Sequence, residues 1–267
     1  MPLIVTERTG LNIFYREAGS GHPVLLLHGM GLDHRSWGQQ ASILKENFRM
    51  ISIDARDGGQ SDEASASYGT SDMADDAVGL MDALGIDKAH VVGYSMGGMV
   101  AQQLALNHPE RVNRLVRTST FQWLNERDRA AMYNRKAMKQ YLPHDEFTRY
   151  IFLEGYSWQE YAISGLVESM LNRALSNPPT QIGPAYDRLA DAILSHDTRN
   201  QLQDIQARTL ILVGDEDIDT PKHYAEEMAK AIPGARLISV PETGHAFLFA
   251  RGKESTELIR AFLSEES

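Results

Sequence analysis

The 267-residue chain contains no cysteine. Disulfide bonds, thiolate metal sites and a cysteine nucleophile are therefore excluded. The His-Glu-x-x-His pattern of helical zinc sites is also missing. No Gly-x-Gly-x-x-Gly string stands between a strand and a helix, so the sequence predicts no dinucleotide site. We expect neither a metal nor a cofactor.

Long apolar runs and basic runs are missing as well. The longest apolar runs have the length of a strand, such as residues 24–27, and the N-terminus lacks the basic-then-apolar order of a signal peptide. With 26 basic and 36 acidic residues the net charge is −10, which disfavours binding to nucleic acid or to an anionic membrane. We expect a cytoplasmic protein that acts on a small molecule.

Apolar segments alternate with helical patterns along most of the chain. Most of these segments are apolar throughout, which is typical of strands buried on both faces of a parallel sheet. Residues 3–17 predict a hairpin that precedes them, and residues 71–84 and 96–107 predict helices between them. The buried strands are predicted at residues 23–27, 49–54, 89–93, 112–116, 209–213 and 236–240. The fold class is α/β, with a mostly parallel central sheet flanked by helices.

One long segment breaks the alternation. Residues 121–202 carry helical patterns without a convincing strand, interrupted by Pro143 and by Asn177-Pro178-Pro179. A segment of this size could fold as an independent domain, but the strand pattern resumes after it, which favours an insertion. We predict a core of residues 1–120 and 203–267 with a helical cap inserted at 121–202.

The predicted cap is rich in aromatic and methionine side chains. They could line an apolar substrate site, although most are expected simply to hold the cap on the core. The side chains in question are Phe121, Trp123, Met132, Tyr133, Met138, Phe152, Tyr156, Trp158 and Tyr161.

A chemically informative motif, Gly93-Tyr94-Ser95-Met96-Gly97-Gly98, stands where a buried strand meets a helix. It fits Gly-x-Ser-x-Gly, a turn so tight that the residues two positions from the serine must be small. The hydroxyl is then exposed at the N-terminus of the next helix, whose dipole favours developing negative charge. The string alone could be an accidental turn, but the strand before it and the helix after it favour Ser95 as a nucleophile.

A serine nucleophile needs a base, and the base needs an acid that orients it. Nine histidines are present, and His245 follows the last predicted strand, at the edge of the sheet where Ser95 is expected. The other histidines considered lie at element boundaries away from that edge, as surface or capping residues, or in or beside the cap: His22, His90 and His108, and His144, His196 and His223. We predict His245 as the base.

The acid is sought among the aspartates that follow the strand at 209–213. Asp217 is our prediction, because the order serine, aspartate, histidine along the chain is typical of this strand–helix architecture. Asp215 and Asp219 stay as alternatives, each of which could instead be a helix-capping or loop carboxylate.

With these motifs the sequence resembles the α/β-hydrolase superfamily over essentially the whole chain. Within it, the sequence is most similar to the 3-oxoadipate enol-lactonase-like esterases and lactonases. The motifs that carry the resemblance are His28-Gly29-Met30-Gly31, Val92-Gly93-Tyr94-Ser95-Met96-Gly97-Gly98, Gly214-Asp215-Glu216-Asp217 with Pro221, and Gly244-His245.

The resemblance implies further roles for several residues. In this family the acid lies three residues after the glycine of the third motif, which favours Asp217. An oxyanion hole made by the backbone N–H groups of Met30 and Met96 is also implied, and such donors stabilise a tetrahedral intermediate. His28 resembles the family's structural histidine and is not expected to be catalytic.

The chain departs from the family pattern in two places. The family usually has Asp-x-Arg-Gly-His-Gly-x-Ser after the fourth strand, whereas this chain has Asp57 at the first glycine position and Gly58 at the histidine position. Aspartate tolerates a left-handed backbone better than most residues, so we expect the turn to persist. A carboxylate there could also set a charge preference for the substrate.

The second departure follows His245, where Ala250-Arg251-Gly252-Lys253 replaces the usual Glu and Pro. We expect a different helix start there and no loss of the triad.

These residues predict a function. A serine at position 95, where haloalkane dehalogenases and epoxide hydrolases need a carboxylate, argues against those activities. We expect hydrolysis of a carboxylic ester or lactone through an acyl-enzyme on Ser95. The alternatives are carbon–carbon bond hydrolysis or perhydrolysis by the same triad, and a ligand receptor on a hydrolase fold. A receptor would not need all the triad and oxyanion groups.

Overall fold

The computed structural model describes residues 3–178 and 183–265, so Pro179 of the predicted break lies outside it. Within these residues an eight-stranded sheet forms the centre, in the order β1-β2-β4-β3-β5-β6-β7-β8. The strands are β1 (Leu3–Val5), β2 (Asn12–Ala18), β3 (His22–Leu27), β4 (Phe48–Ile53), β5 (Ala89–Tyr94), β6 (Val112–Thr118), β7 (Arg208–Gly214) and β8 (Arg236–Val240).

The sheet has two antiparallel junctions at one edge and is parallel elsewhere. Strand β2 runs antiparallel to both β1 and β4. All pairings from β4 through β8 are parallel. This confirms the predicted fold class and the predicted N-terminal hairpin, and the predicted strands agree with the observed ones to within two residues at each end.

Eleven helices are present in the described part of the chain. They are α1 (Gly38–Leu44), α2 (Thr70–Ala83), α3 (Met96–Asn107), α4 (Glu126–Tyr141), α5 (His144–Gly155), α6 (Trp158–Ala162), α7 (Leu166–Ser176), α8 (Pro184–Ser195), α9 (Lys222–Ala231), α10 (Phe247–Ala250) and α11 (Gly252–Leu263). The longest, α4, has 16 residues, and no helix of the described residues is long and apolar enough to cross a bilayer. The cytoplasmic location stays a prediction.

Two layers of helices cover the two faces of the sheet. Because neighbouring residues of a strand point to opposite faces, Val91 joins the apolar cluster that contains α2, α3 and α9. The next residue, Val92, joins the cluster that contains α1, α10 and α11. Strands buried on both faces explain why their sequences are apolar throughout rather than alternating.

The position of His90 differs from the prediction of a surface or capping residue. Its side chain is buried, 4% exposed, because β5 lies between β3 and β6 in the sheet. The rings of His22 and Phe48 cover it, with centroid distances of 4.4 and 5.9 Å.

Helices α4 to α8 lie between β6 and β7. The side chain of Asn125 caps α4 by accepting from the N–H of Asp128, and Pro143 precedes α5 as predicted. Arg129 of α4 donates to the carbonyl of Leu194 at the end of α8, which joins the first and last of these helices. The division into a core and a cap at residues 121–202 stays a prediction.

Candidate active site

The turn at Ser95 has the geometry that the motif predicts. Ser95 has φ 54° and ψ −119°, an unfavourable conformation for a residue with a side chain. A Cβ at position 93 would lie 2.2 Å from the Gly97 carbonyl oxygen, and one at Gly97 would lie 2.0 Å from the carbonyl oxygen of Leu27. Only glycine fits at either position, because backbone atoms occupy the space.

The strand next to β5 holds this strained turn in place. The Ser95 N–H donates to the carbonyl of Thr118 at 2.9 Å, and the Thr120 hydroxyl donates to the carbonyl of Ser95 at 2.8 Å. These bonds satisfy both the backbone N–H and the backbone carbonyl of Ser95. The Ser95 side chain itself remains partly exposed.

The predicted oxyanion donors lie beside this turn. A Cβ at Gly29 would lie 3.2 Å from the Cβ of Ser95, so the chain leading to Met30 passes directly over the serine. Neither the Met30 N–H nor the Met96 N–H has an acceptor within residues 3–178 and 183–265. Two unpaired donors next to a serine hydroxyl can bind an oxyanion.

His28 fixes the loop that carries one of these donors. Its Nδ1 lies 2.8 Å from the carbonyl oxygen of Gly29, and its Nε2 accepts from the N–H of Ala55 at 3.0 Å. Nδ1 therefore carries the proton, and both ring nitrogens are used by the backbone. This arrangement fits the structural role expected for His28.

His245 and Asp217 form a buried hydrogen-bonded pair. Nδ1 of His245 lies 2.9 Å from Oδ2 of Asp217. The carboxylate also accepts from the N–H groups of Asp219 and Thr220, at 2.9 and 2.7 Å, and from the Thr220 hydroxyl at 2.7 Å. Four donors, one of which is Nδ1 of His245, therefore fix the Asp217 carboxylate. Because Nδ1 is bound to that carboxylate, Nε2 is the ring nitrogen that can exchange a proton.

The two alternative aspartates occupy different positions. Asp215 is exposed and accepts from the N–H of Glu242 at 2.7 Å, away from the imidazole. Asp219 binds Arg135 and also places Oδ2 at 3.6 Å from Nε2 of His245. The imidazole thus has one carboxylate at each edge, Asp217 at Nδ1 and Asp219 at Nε2.

These charges change the proton equilibria of the site. Burial lowers the pKa of His245, but the charges of Asp217 and Asp219 and the hydrogen bond from Asp217 outweigh it, so the pKa is raised. Burial raises the pKa of Asp219, but the charges of Arg135 and His245 outweigh burial and lower it to about 2. Asp219 is therefore ionised at neutral pH.

Ser95 lies next to this pair without a direct bond to it. Among the residues that the structure describes, no hydrogen bond joins the Ser95 hydroxyl to His245. The imidazole packs on the ring of Tyr94, the residue before the serine, at a centroid distance of 5.3 Å. Such bonds are often long in the unliganded state and shorten when a substrate is bound.

Two supports of the His245 loop were not found from the sequence. The Ser119 hydroxyl donates to the carbonyl of His245 at 2.8 Å. Glu160 of α6, fully buried, accepts from the N–H of Gly244 at 2.9 Å and from that of Ser157 at 2.8 Å. The Ser-x-x-Glu spacing of a capping box predicts the bond between Glu160 and Ser157. Nothing in the neighbouring sequence predicts the bond between Glu160 and Gly244.

The departure from the family pattern at Asp57 has a physical explanation. Asp57 has φ 58°, so the turn persists in the left-handed conformation that we predicted. Its carboxylate, fully buried, accepts from Arg188 of α8 at 2.6 and 2.7 Å and from the N–H of Ala64 at 2.9 Å. It is not free to select the charge of a substrate; it joins the loop after β4 to α8.

The second departure also changes local structure. The short helix α10 precedes α11, which begins at Gly252, so the helix start differs as expected. A Cβ at Gly252 would lie 2.0 Å from the side-chain oxygen of Gln39, so the glycine allows α11 to approach α1 closely.

A cleft lies beside Asp219 and is lined by α4, α5 and the loop after β7. Its lining residues are Phe121, Leu124, Arg127, Asp128, Ala131, Met132, Arg135, Glu154, Ile218 and Asp219. Of the cap side chains considered for a substrate site, Phe121 and Met132 lie in this cleft. Trp158 is 71% exposed and Tyr133 is 55% exposed, so these two face solvent.

One group of side chains has the spacing of metal ligands. Atoms of Asp33, His34 and Asp54 lie within 4.8 Å of one another. Asp54 accepts from the N–H and Nδ1 of His34, at 2.6 and 2.8 Å, and Asp33 binds Arg35 through both oxygens. These hydrogen bonds stabilise the loop after β3, and they explain why the three side chains lie close together.

Comparison with known proteins agrees with the fold. The family described as alpha/beta hydrolase fold matches residues 22–251. A protein from Caulobacter vibrioides named as carbamate hydrolase RutD is 30% identical over 243 residues, covering 90% of this chain and 89% of that protein.

Two solved structures extend the comparison. A thermophilic esterase from Thermogutta terrifontis has a TM-score of 0.85 at 27% identity, covering 98% of this chain and 97% of the other. An enol-lactonase from Burkholderia xenovorans has a TM-score of 0.88 at 23% identity, covering 99% and 100%, and this likeness concerns the fold.

Proposed function

The chain belongs to the α/β-hydrolase fold family, and we propose that it is a serine hydrolase of carboxylic esters or lactones. The observation that carries the proposal is the buried Asp217–His245 pair beside the strained turn at Ser95. A serine held at an energetic cost next to an oriented imidazole is the arrangement that nucleophilic acyl transfer requires.

In the proposed mechanism, the Ser95 hydroxyl attacks the carbonyl carbon while Nε2 of His245 takes its proton. Asp217 keeps the imidazole in the tautomer that accepts this proton and stabilises the imidazolium that forms. The N–H groups of Met30 and Met96 bind the oxyanion. The imidazolium then protonates the leaving alcohol, and water activated by the same nitrogen hydrolyses the acyl-enzyme.

The substrate class is supported by chemistry and by relatives. The described site offers a nucleophile, a base and oxyanion donors, which suffice for an ester or lactone carbonyl. Among the similar proteins, the structure at 27% identity is an esterase by name, whereas the likeness to the enol-lactonase concerns the fold. The relative named as a carbamate hydrolase makes a carbamate a necessary member of any substrate panel.

The test is acid release in a pH-stat from a panel of short esters and lactones, together with ammonia release from one carbamate. We expect multiple turnovers with the wild type and at least a 1,000-fold loss in Ser95→Ala, on the order of the loss when a triad member is removed. The ratio of lactone to open-chain ester turnover ranks the two substrate classes. Acid release that is unchanged in Ser95→Ala would overturn the mechanism.

The alternatives give different outcomes in the same assay. Cleavage of a diketone with no ester turnover would indicate carbon–carbon hydrolysis. Peracid formation from an ester and hydrogen peroxide, with no acid release when peroxide is left out, would indicate perhydrolysis. A single stoichiometric turnover would indicate a receptor. Each of these results would replace the proposed ester or lactone activity.

A further inference from the structure

Asp219 is a second carboxylate at the proton-accepting edge of the base. It follows Asp217 by two residues, and its N–H donates to that carboxylate at 2.9 Å. Its own Oδ2 lies 3.6 Å from Nε2 of His245, the atom that must take the serine proton. This distance is longer than a hydrogen bond, which for N–H to O is about 2.7–3.2 Å.

A buried arginine holds Asp219 at that distance. Arg135 of α4 donates to both oxygens of Asp219, at 2.6 and 3.1 Å. The same guanidinium donates to Glu154 of α5 at 2.7 Å, and the other oxygen of Glu154 accepts from Tyr150. The Arg135 side chain is only 9% exposed, so solvent screens this network weakly.

The bonds from Arg135 matter because Nε2 of His245 and the nearby Asp219 carboxylate can compete for the same proton. If Asp219 approached Nε2 by less than 1 Å, it would form a hydrogen-bonded ion pair with the imidazolium. His245 would then be protonated and paired, and it could not act as a base towards Ser95. The two bonds from Arg135 oppose this approach.

We propose that Arg135 and Asp219 are positioning residues for the base. Arg135 holds the Asp219 carboxylate beside Nε2 but not on it, which leaves the nitrogen open to the serine proton and keeps a negative charge near the imidazolium that forms. Helix α4 therefore takes part in setting the pH range in which His245 acts. The kinetic consequences rest on the proposed function.

Every element packed around the imidazole contributes to this balance. The charged and titratable side chains that face it within the described residues are Asp217 and Asp219 from the loop after β7, Arg135 from α4 and Tyr94 from β5. Burial and the charge of Arg135 lower the pKa of His245, whereas the two aspartates raise it. Asp219 and Arg135 can both be exchanged without touching the Nδ1 hydrogen bond, which is made to Asp217.

The experiment is the pH profile of kcat/KM for Arg135→Met, Asp219→Asn and the double variant. Arg135→Met frees Asp219 and removes a positive charge, so the acidic limb should move up by about one pH unit, the scale of one neighbouring charge. Asp219→Asn should move it down by a similar amount. The double variant should lie close to Asp219→Asn and slightly above it, because Arg135 acts mainly by holding Asp219 and to a lesser extent through its own charge.

A matched control is available in the chain. Arg188 of α8 also joins a helix between β6 and β7 to a core aspartate through two bonds, and neither Arg188 nor Asp57 contacts His245. Arg188→Met should leave the acidic limb in place even if it lowers the rate. Arg135→Lys keeps the charge, so its acidic limb should lie between those of the wild type and of Arg135→Met. This variant replaces Arg135→Met in the experiment if Arg135→Met does not fold.

A second readout separates this proposal from the proposed function. The imidazole titration of His245 can be followed by NMR, with the resonance assigned by its loss in His245→Gln. We expect its midpoint to rise in Arg135→Met and to fall in Asp219→Asn, whether or not the protein hydrolyses any ester. Midpoints unchanged in both variants, or an equal shift in Arg188→Met, would overturn the positioning role.

Discussion

At the scale of single residues, Ser95 is held by its neighbours rather than by its own preference. A positive φ at a serine is costly, and the turn persists because glycines let two backbone segments touch at positions 93 and 97. The Gly-x-Ser-x-Gly spacing predicted the turn because the contact between Gly93 and Gly97 lies within five consecutive residues, whereas the approach of Leu27 to Gly97 does not follow from that spacing.

Gly97→Ala tests this crowding. The new methyl group would meet the Leu27 carbonyl oxygen at 2.0 Å, so the free energy of unfolding should fall by about 3 kcal/mol, as for overpacking in a core. Urea unfolding of the two proteins measures it. The control is Gly38→Ala, where no atom lies within 4 Å; a loss of the same size there would contradict the explanation.

Asp217→Asn tests the choice among three neighbouring aspartates. An asparagine at this position cannot hold the imidazole in the required tautomer, so kcat should fall by about 10,000-fold. The control, Asp215→Asn, changes an exposed carboxylate that accepts from the Glu242 N–H and should keep kcat within about threefold. Equal losses in the two variants would contradict the assignment of Asp217, and the comparison is made by steady-state kinetics.

At the scale of elements, periodicity gave most of the architecture. The strands were predictable because burial on both faces makes most of them apolar over most of their length. The contacts between distant elements were not, because nothing near Asp57 in the sequence indicates Arg188, 131 residues away. The same holds for Arg135 with Asp219 and for Glu160 with Gly244, which are 84 residues apart in each case.

Glu160→Ala tests the contact between α6 and the His245 loop. The variant leaves the N–H groups of Gly244 and Ser157 without their acceptor, so the free energy of unfolding should fall by about 2 kcal/mol. The loop that carries His245 loses a support, so kcat should fall too. The control is Glu168→Ala, on the exposed side of α7, which should change neither the free energy of unfolding nor kcat. Denaturant unfolding and steady-state kinetics measure the two quantities in both variants.

At the scale of the whole molecule, buried histidines link stability to pH. Burial lowers the pKa of His90 to about 3, and the charges of His22 and Arg114 act in the same direction. Because this pKa is lower in the folded than in the unfolded state, the unfolded chain binds more protons between pH 6.5 and 3. Stability from His90 is therefore complete above pH 6.5 and is lost as the pH falls.

Replacing His90 measures its contribution to the pH dependence of the free energy of unfolding. His90→Phe removes the titrating group, so the loss of unfolding free energy between pH 7 and pH 5 should be smaller than in the wild type by about 2 kcal/mol. Urea unfolding at the two pH values gives the difference. His223→Gln, at an exposed position, should reproduce the wild-type loss, and an unchanged loss in His90→Phe would contradict the linkage.

The proposed mechanism requires that Ser95 carries a covalent acyl group during turnover. The most direct measurement is mass spectrometry of the protein quenched during reaction with an activated short-chain ester, followed by peptide mapping. We expect a mass increase equal to one acyl group, located on the peptide that contains Ser95 and absent in Ser95→Ala. An acyl group on another residue, or turnover of the ester without a Ser95 adduct in a slow-deacylating His245→Gln variant, would contradict the claim.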